Sequence, residues 1–181
     1  MNKQDVVAVV LGGPSSEAEV SRRTGGAIAE ALREKGYNAV EVELVPEKLV
    51  EQLREIDAKV VFNAVHGMYG EDGRLQSILE AIKMPYTGSG VLASAVAMDK
   101  VATKRFLISA NISTPKCLMY NKRFDNDMAK IEKEIIATFG VPVVIKAADQ
   151  GSSIGVEIVK VEADVAAALE NTFKYSDLVL V

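Results

Sequence analysis

"DVVAVVLGGPSSEAEVSRRTGGAIAEALREKG", Asp5 to Gly36, passes from a valine-rich run through a glycine turn into a helical period. Asp5 to Leu11 is apolar almost throughout, not alternating, so it reads as a strand buried on both faces. Ser16 to Lys35 reads as a helix. Ser16 and Glu19 have capping-box spacing, Ile28, Ala31 and Leu32 share one face, and Gly36 is a natural stop.

The alternation continues outward. Tyr37 to Leu44 predicts a strand, Glu47 to Glu55 a short helix and Lys59 to Asn63 a third strand. Asp72 is placed to cap a helix running to Lys83. "MPYTGSG" reads as a short strand and turn, and Val91 to Ala97 as a small helix. Strand–helix alternation implies a parallel sheet covered by helices, and ligands bind at the carboxyl ends of such strands. Both "LGGPSSE" and "VHGMYGEDG" follow strands and are expected on that edge.

After Met98 the pattern changes. Asp99 caps a predicted helix from Lys100 to Ala110, "TPKCLMY" reads as a strand and Asp127 to Phe139 as a helix. "VPVVIKA" and "GVEIVKV" form a hairpin around "ADQGSSI". Glu162 to Phe173 reads as a helix, and Asp177 to Val181 as a strand. This is an α+β order, so a boundary is expected near residue 98, giving units 1–98 and 99–181. The chain stops on "DLVLV", which predicts an unpaired terminal strand and an incomplete second lobe.

Composition narrows the class. Of 181 residues 49% are hydrophobic, enough for a packed core. The net charge of -4 argues against a nucleic-acid surface, which needs clustered basic residues. Cys117 is the only cysteine, which fits a reducing compartment. The apolar run from Val6 to Leu11 is too short for a signal or membrane segment. The expectation is a soluble, cytoplasmic protein.

Candidate chemistry sits in the loops. Free N–H groups in "GGPSSE" could hold an anion, although the stretch matches no standard nucleotide fingerprint. Glu17 either favours the helix dipole or holds an ammonium group at the sheet edge. His66, the only histidine, lies among glycines that let backbone approach a ligand; the alternative is a turn residue. Asp72 reads as a cap. Lys146 shares a strand face with Val144, so it must snorkel or meet an anion, and Gly151, Ser152 and Ser153 behind it supply phosphate-cradling parts. The alternative is a solvated hairpin. Lys100 opposes the dipole of its own helix, a cost that anion binding would offset. A phosphorylated receiver domain is disfavoured, because "VVFNA" offers no acceptor aspartate at Asn63.

Four segments, "VVLGGPSSEAEVS", "VFNAVHGMYGEDGRLQSILE", "PYTGSGVLASAVAMDKVATK" and "VPVVIKAADQGSSIGV", resemble in order the amino-terminal part of the D-alanine–D-alanine ligases of the ATP-grasp superfamily. The resemblance implies a Rossmann-like parallel-sheet (pre-ATP-grasp) α/β domain, followed by an incomplete α+β ATP-grasp lobe. It also implies joining of two D-alanine molecules through an acyl phosphate, with ATP and Mg2+, for peptidoglycan precursors. By the same resemblance Glu17 binds the ammonium of the first D-alanine, with Val20, Ser21 and His66 beside that substrate. Lys100, Lys146, Ser152 and Ser153 bind ATP phosphates, and Ser152 hydrogen-bonds Glu17. Ala147 departs from a proline frequent in the family. Metal ligands and the oxyanion arginine are expected beyond Val181, so this chain alone is expected to be inactive. A homodimer is implied, without nucleic-acid or membrane partners. Rival readings are a D-alanyl-D-lactate or D-alanyl-D-serine ligase, and a non-catalytic small-ligand or nucleotide-binding module.

Overall fold

The computed structural model describes residues 2–181. The chain divides into two compact units, Met1–Ala97 and Met98–Val181. The first is α/β, with a parallel sheet; the second is α+β, with an antiparallel one.

In the first unit β1 (Val6–Leu11) lies between β2 (Asn38–Glu43) and β3 (Ala58–Asn63), both parallel to it. Central placement explains its composition, since both faces are covered. Ala8 and Val10 join a core with Leu49, Leu53, Val61, Leu75 and Leu79. Val9 packs the other way, with Ala29 and Ala39. Helix α1 (Ala18–Glu34) reaches the sheet closely because Gly25 has no side chain: a Cβ there would come within 2.6 Å of Leu11 Cβ. Helix α2 is Leu49–Glu55 and α3 is Arg74–Ala81. Leu75 and Leu79, one helical turn apart, bury the core stripe of α3. "MPYTGSG" contributes only a parallel bridge from Tyr86 to Val61, and α4 (Val91–Met98) follows.

In the second unit the order is β4-β7-β5-β6, with β4 at Met119–Asn121, β5 at Val143–Ala147, β6 at Val156–Val159 and β7 at Leu178–Leu180. Helices α6 (Met128–Phe139) and α7 (Val165–Thr172) close one core with Ile131, Ile135, Ile145, Leu169 and Val179. Helix α5 (Lys100–Ser109) adds Val101 to a smaller cluster with Ala148 and Leu180. Asp99 caps α5 by accepting from Val101 N and Ala102 N, and Asp127 caps α6 through Lys130 N.

Four expectations need revision here. The terminal strand is not unpaired: β7 lies inside its sheet, antiparallel to both β4 and β5. The capping box is not formed. Glu17 is the N-cap of α1 without a side-chain cap bond, and Ser15 Oγ instead accepts from Glu17 N at 2.9 Å. Asp72 caps α3 from one residue further out: Gly73 holds the N-cap position at φ 89°, and Asp72 Oδ1 accepts from Arg74 N at 3.1 Å. The strand read over "TPKCLMY" is shorter, since Pro115 has no N–H to donate and pairing begins with Leu118 bonded to Val181. Among the described residues, no helix is long and apolar enough to cross a membrane.

Candidate functional site

The carboxyl edge of the parallel sheet gathers the turn after β1 and the loop after β3. Ser15 joins them: its hydroxyl donates to the His66 carbonyl at 2.8 Å while accepting from Glu17 N. The Glu17 carboxylate lies against Gly67, where a Cβ would come within 2.6 Å of Glu17 Oε2. Gly67 also has φ 69°, so this position suits glycine twice over. The structure thus brings Glu17 and the His66 loop together. His66 Nε2 is 3.2 Å from Thr24 Oγ1, and Nδ1 is 3.8 Å from Glu71 Oε1. Val20 is exposed on α1.

Ser21 plays a different part from Val20. It is fully buried; its hydroxyl donates to the Ala64 carbonyl at 2.7 Å and accepts from Gly12 N at 2.8 Å. It ties α1 to both edge loops, with both capacities spent inside the protein.

The anion reading of "GGPSSE" is narrowed, because three of its N–H groups already have partners inside the protein. Gly12 N is taken by Ser21, and Gly13 N donates to Glu43 Oε1 at 3.2 Å. Pro14 has no N–H to offer, and Glu17 N is held by Ser15. Arg22 pairs with Glu43 through three contacts of 2.7–3.2 Å and holds that carboxyl below its ordinary range, chiefly by hydrogen bonding. The edge therefore presents carboxylates, Glu17 and Glu71, around one imidazole. That chemistry suits an ammonium group more than a phosphate.

In the second unit, Lys100 opens α5 and reaches the turn after β5: Nζ donates to the Gln150 carbonyl at 2.6 Å and lies 3.4 Å from that of Ala148. Burial is the main cause holding Lys100 below its ordinary pKa; the charge of Lys146 is the next. Two cations held near each other, one partly desolvated, form a site that an anion would relieve. Lys146 pairs in register with Leu180 and Val156 on the sheet face away from Ile145. Behind it Ser152, at φ 52°, and Ser153 are exposed in the turn. Gly155 ends that turn at φ 63°, where a Cβ would come within 2.9 Å of Ala147 Cβ.

Sequence reading missed Ser15, Thr24 and Glu71. Thr24 carried a signal, because Glu17, Ser21 and Thr24 follow helical spacing on one face. A cavity of about 470 Å³, lined by Pro14, Leu44, Met68, Tyr69 and Arg74 among others, lies beside the edge; Glu17 and His66 do not line it. Among the described residues there is no group of three or more His, Cys, Asp or Glu placed to hold a metal ion.

Comparison with known proteins finds similar sequences and folds over nearly the whole chain. The family models for the D-ala D-ala ligase N-terminus and C-terminus match residues 43–89 and 106–181. A D-alanine–D-alanine ligase of Moorella thermoacetica is 45% identical over 93% of this chain and 55% of its own length. The crystal structure of the Bacillus anthracis D-alanine–D-alanine ligase aligns with TM-score 0.84 at 34% identity, covering 97% of this chain and 56% of that one. The same enzyme complexed with ATP aligns with TM-score 0.82 at 32% identity, over 97% and 57%. The chain thus spans a little over half the length of these relatives.

Proposed function

The chain belongs to the D-alanine–D-alanine ligase family, and from that premise we propose that it supplies the first-substrate and phosphate-binding parts of a ligase joining two D-alanine molecules for peptidoglycan precursors. In this reading residues 1–98 form the substrate-side domain and 99–181 the first part of the ATP-grasp domain. Glu17 takes the ammonium of the first D-alanine, beside Val20 and His66. Ser21 serves that pocket by fixing α1 to the Ala64 carbonyl. Lys100 and Lys146, with the Ser152–Ser153 turn, take ATP phosphates, and the charge of the pair offsets that of the transferred group. The γ-phosphoryl group passes to the first substrate's carboxylate, giving an acyl phosphate and ADP. The amine of the second D-alanine attacks that carbonyl, and phosphate leaves with the bonding pair. Mg2+ would neutralise phosphate charge when bound; residues 2–181 hold no cluster fitted to it. A homodimer working in the cytoplasm belongs to the same reading, and sedimentation equilibrium would test the dimer.

The observation carrying the proposal is the Glu17 carboxylate seated on Gly67 beside His66. Calorimetric titration with D-alanine tests it. Glu17→Gln should weaken D-alanine binding by about 1.5–3 kcal/mol, the value of a hydrogen bond to a charged group, with ATP binding unchanged. Equal D-alanine affinities in variant and parent would remove Glu17 from the site. The chain by itself should release no phosphate from ATP with D-alanine and Mg2+; turnover would reveal a metal site among residues given other roles here.

A further inference from the structure

The loop from His66 to Gly73 is held by more than its own backbone. The Gly70 carbonyl accepts two amide protons, from Asn63 Nδ2 at 2.8 Å and from Gln76 Nε2 at 2.7 Å. Asn63 ends β3, and its Oδ1 also accepts from Val65 N at 3.1 Å. Gln76 lies in α3 and is only 2% exposed. Its Oε1 is buried without a hydrogen-bond partner.

Stability alone does not account for Gln76. An apolar side chain of equal length would fill the site without desolvating an unpaired acceptor. What the amide adds is geometry. Two donors from different elements converge on one carbonyl, and on the opposite side Gly70 presses on the Val65 carbonyl, where a Cβ would come within 2.1 Å. The neighbouring Tyr69 adopts φ 72° and its N–H is held by Asp72 Oδ2 at 2.9 Å. Further along, Glu71 N bonds the Gly67 carbonyl at 3.0 Å. Fixing Gly70 therefore fixes the far end of the segment that begins at His66 and Gly67.

We propose that Asn63 and Gln76 are positioning residues that hold the His66–Gly67 edge against Glu17 and thereby set affinity for the first amino acid. The affinity clause rests on the reading of that edge as the D-alanine site; the positioning itself does not. Neither residue touches the ligand in this proposal.

The protein provides its own reporter, since His66 is its only histidine. Its ring resonances in an NMR spectrum belong to one site. Gln76→Met removes the donor and keeps side-chain length. Asn63→Ser removes the bond to Gly70 and keeps an oxygen for Val65 N–H; Asn63 is only half-buried, so this variant leaves the core intact. In both, the His66 resonances should shift and broaden as the loop begins to exchange on the microsecond-to-millisecond scale. The D-alanine concentration at half-saturation, followed on the same resonances, should rise about tenfold. The melting temperature of Gln76→Met should stay near that of the parent. Leu79→Ala, which weakens the core of the same helix, should lower the melting temperature and leave the His66 resonances in place. Unmoved resonances in the folded Asn63 and Gln76 variants would overturn the proposal. A parent whose resonances ignore D-alanine, while both variants displace them, would sink the substrate reading and leave the positioning role supported.

Discussion

Glu43 shows how a single acid sets the character of the site edge. It occupies the space beside Gly12 and Gly13 that a bound anion would need, and it is held there by Arg22. Its folded pKa lies below the ordinary glutamate value, with the Arg22 hydrogen bond as the first cause. A depressed carboxyl contributes stability above its unfolded pKa, about 4.3, and loses it as pH falls through the folded value. The pair is largely exposed, so solvent screens it and the contribution is small. Glu43→Gln should therefore melt slightly below the parent at pH 7, and the two melting curves should converge in acid. A difference that persists at pH 3 would assign the effect to packing. The lysine pair offers the converse test. Lys146→Met should weaken ATP binding, and it should return the Lys100 amine toward its ordinary pKa by removing a neighbouring charge. Unchanged ATP affinity would return Lys146 to the solvated-hairpin reading.

At the scale of elements, the sequence was most legible where burial leaves one solution. The valines of β1, the glycine break and the apolar stripe of α1 specify strand–turn–helix because no other arrangement covers both faces of Val6–Leu11. A helix cap was legible where an aspartate precedes a helix directly, as at Asp99. One was illegible where two serines stand side by side: Ser16 fits the capping box, yet Ser15 holds Glu17 N because it also reaches the His66 carbonyl, a partner 51 residues away. Glu17 and His66 stood out by residue type and position. Thr24 did not, since its partner lies 42 residues away, and Gln76 did not, since its amide reaches back to a loop carbonyl that helical periodicity does not reveal. Glycines divide along the same line. Gly70→Ala would drive a methyl into the Val65 carbonyl and force backbone to move, at a cost of roughly 1–3 kcal/mol or more. Gly26, inside α1 with nothing within 4 Å of its missing Cβ, should gain about 0.5–1 kcal/mol as alanine. Thermal melts of the two variants should move in opposite directions. A Gly70→Ala variant melting at or above the parent would mean that the tight approach there is relieved without cost, and a Gly26→Ala variant melting below it would mean that the open space at that position is not free.

At the scale of the whole molecule, each unit owns a core, and the second depends on the last residues of the chain. The sequence suggested a loose terminal strand because "DLVLV" has no turn behind it; pairing partners 30 to 60 residues upstream are invisible to local patterning. In the fold, Val179 pairs with Tyr120 on one side and Ala147 on the other, and is fully buried with Ile145 and Leu169. Leu180 faces the opposite way, onto Val101 and Ala148. Removing residues 177–181 would open both apolar clusters and leave β4 without its partner while β5 lost one edge. Deleting Val179 and Leu180 alone removes two buried side chains, each worth roughly 2–4 kcal/mol by comparison with large-to-small core substitutions. That total reaches into the 5–15 kcal/mol that stabilises a typical domain. A chain ending at Ser176 should therefore lose the protected amides of the second unit in hydrogen exchange. The first unit's core, built from Val9, Val10, Val61, Leu75 and Leu79, contains none of these residues, so its amides and the His66 resonances should persist. Loss of protection across both units together would show that they fold as one cooperative body, and retention across both would show that the terminal strand is dispensable despite its central place.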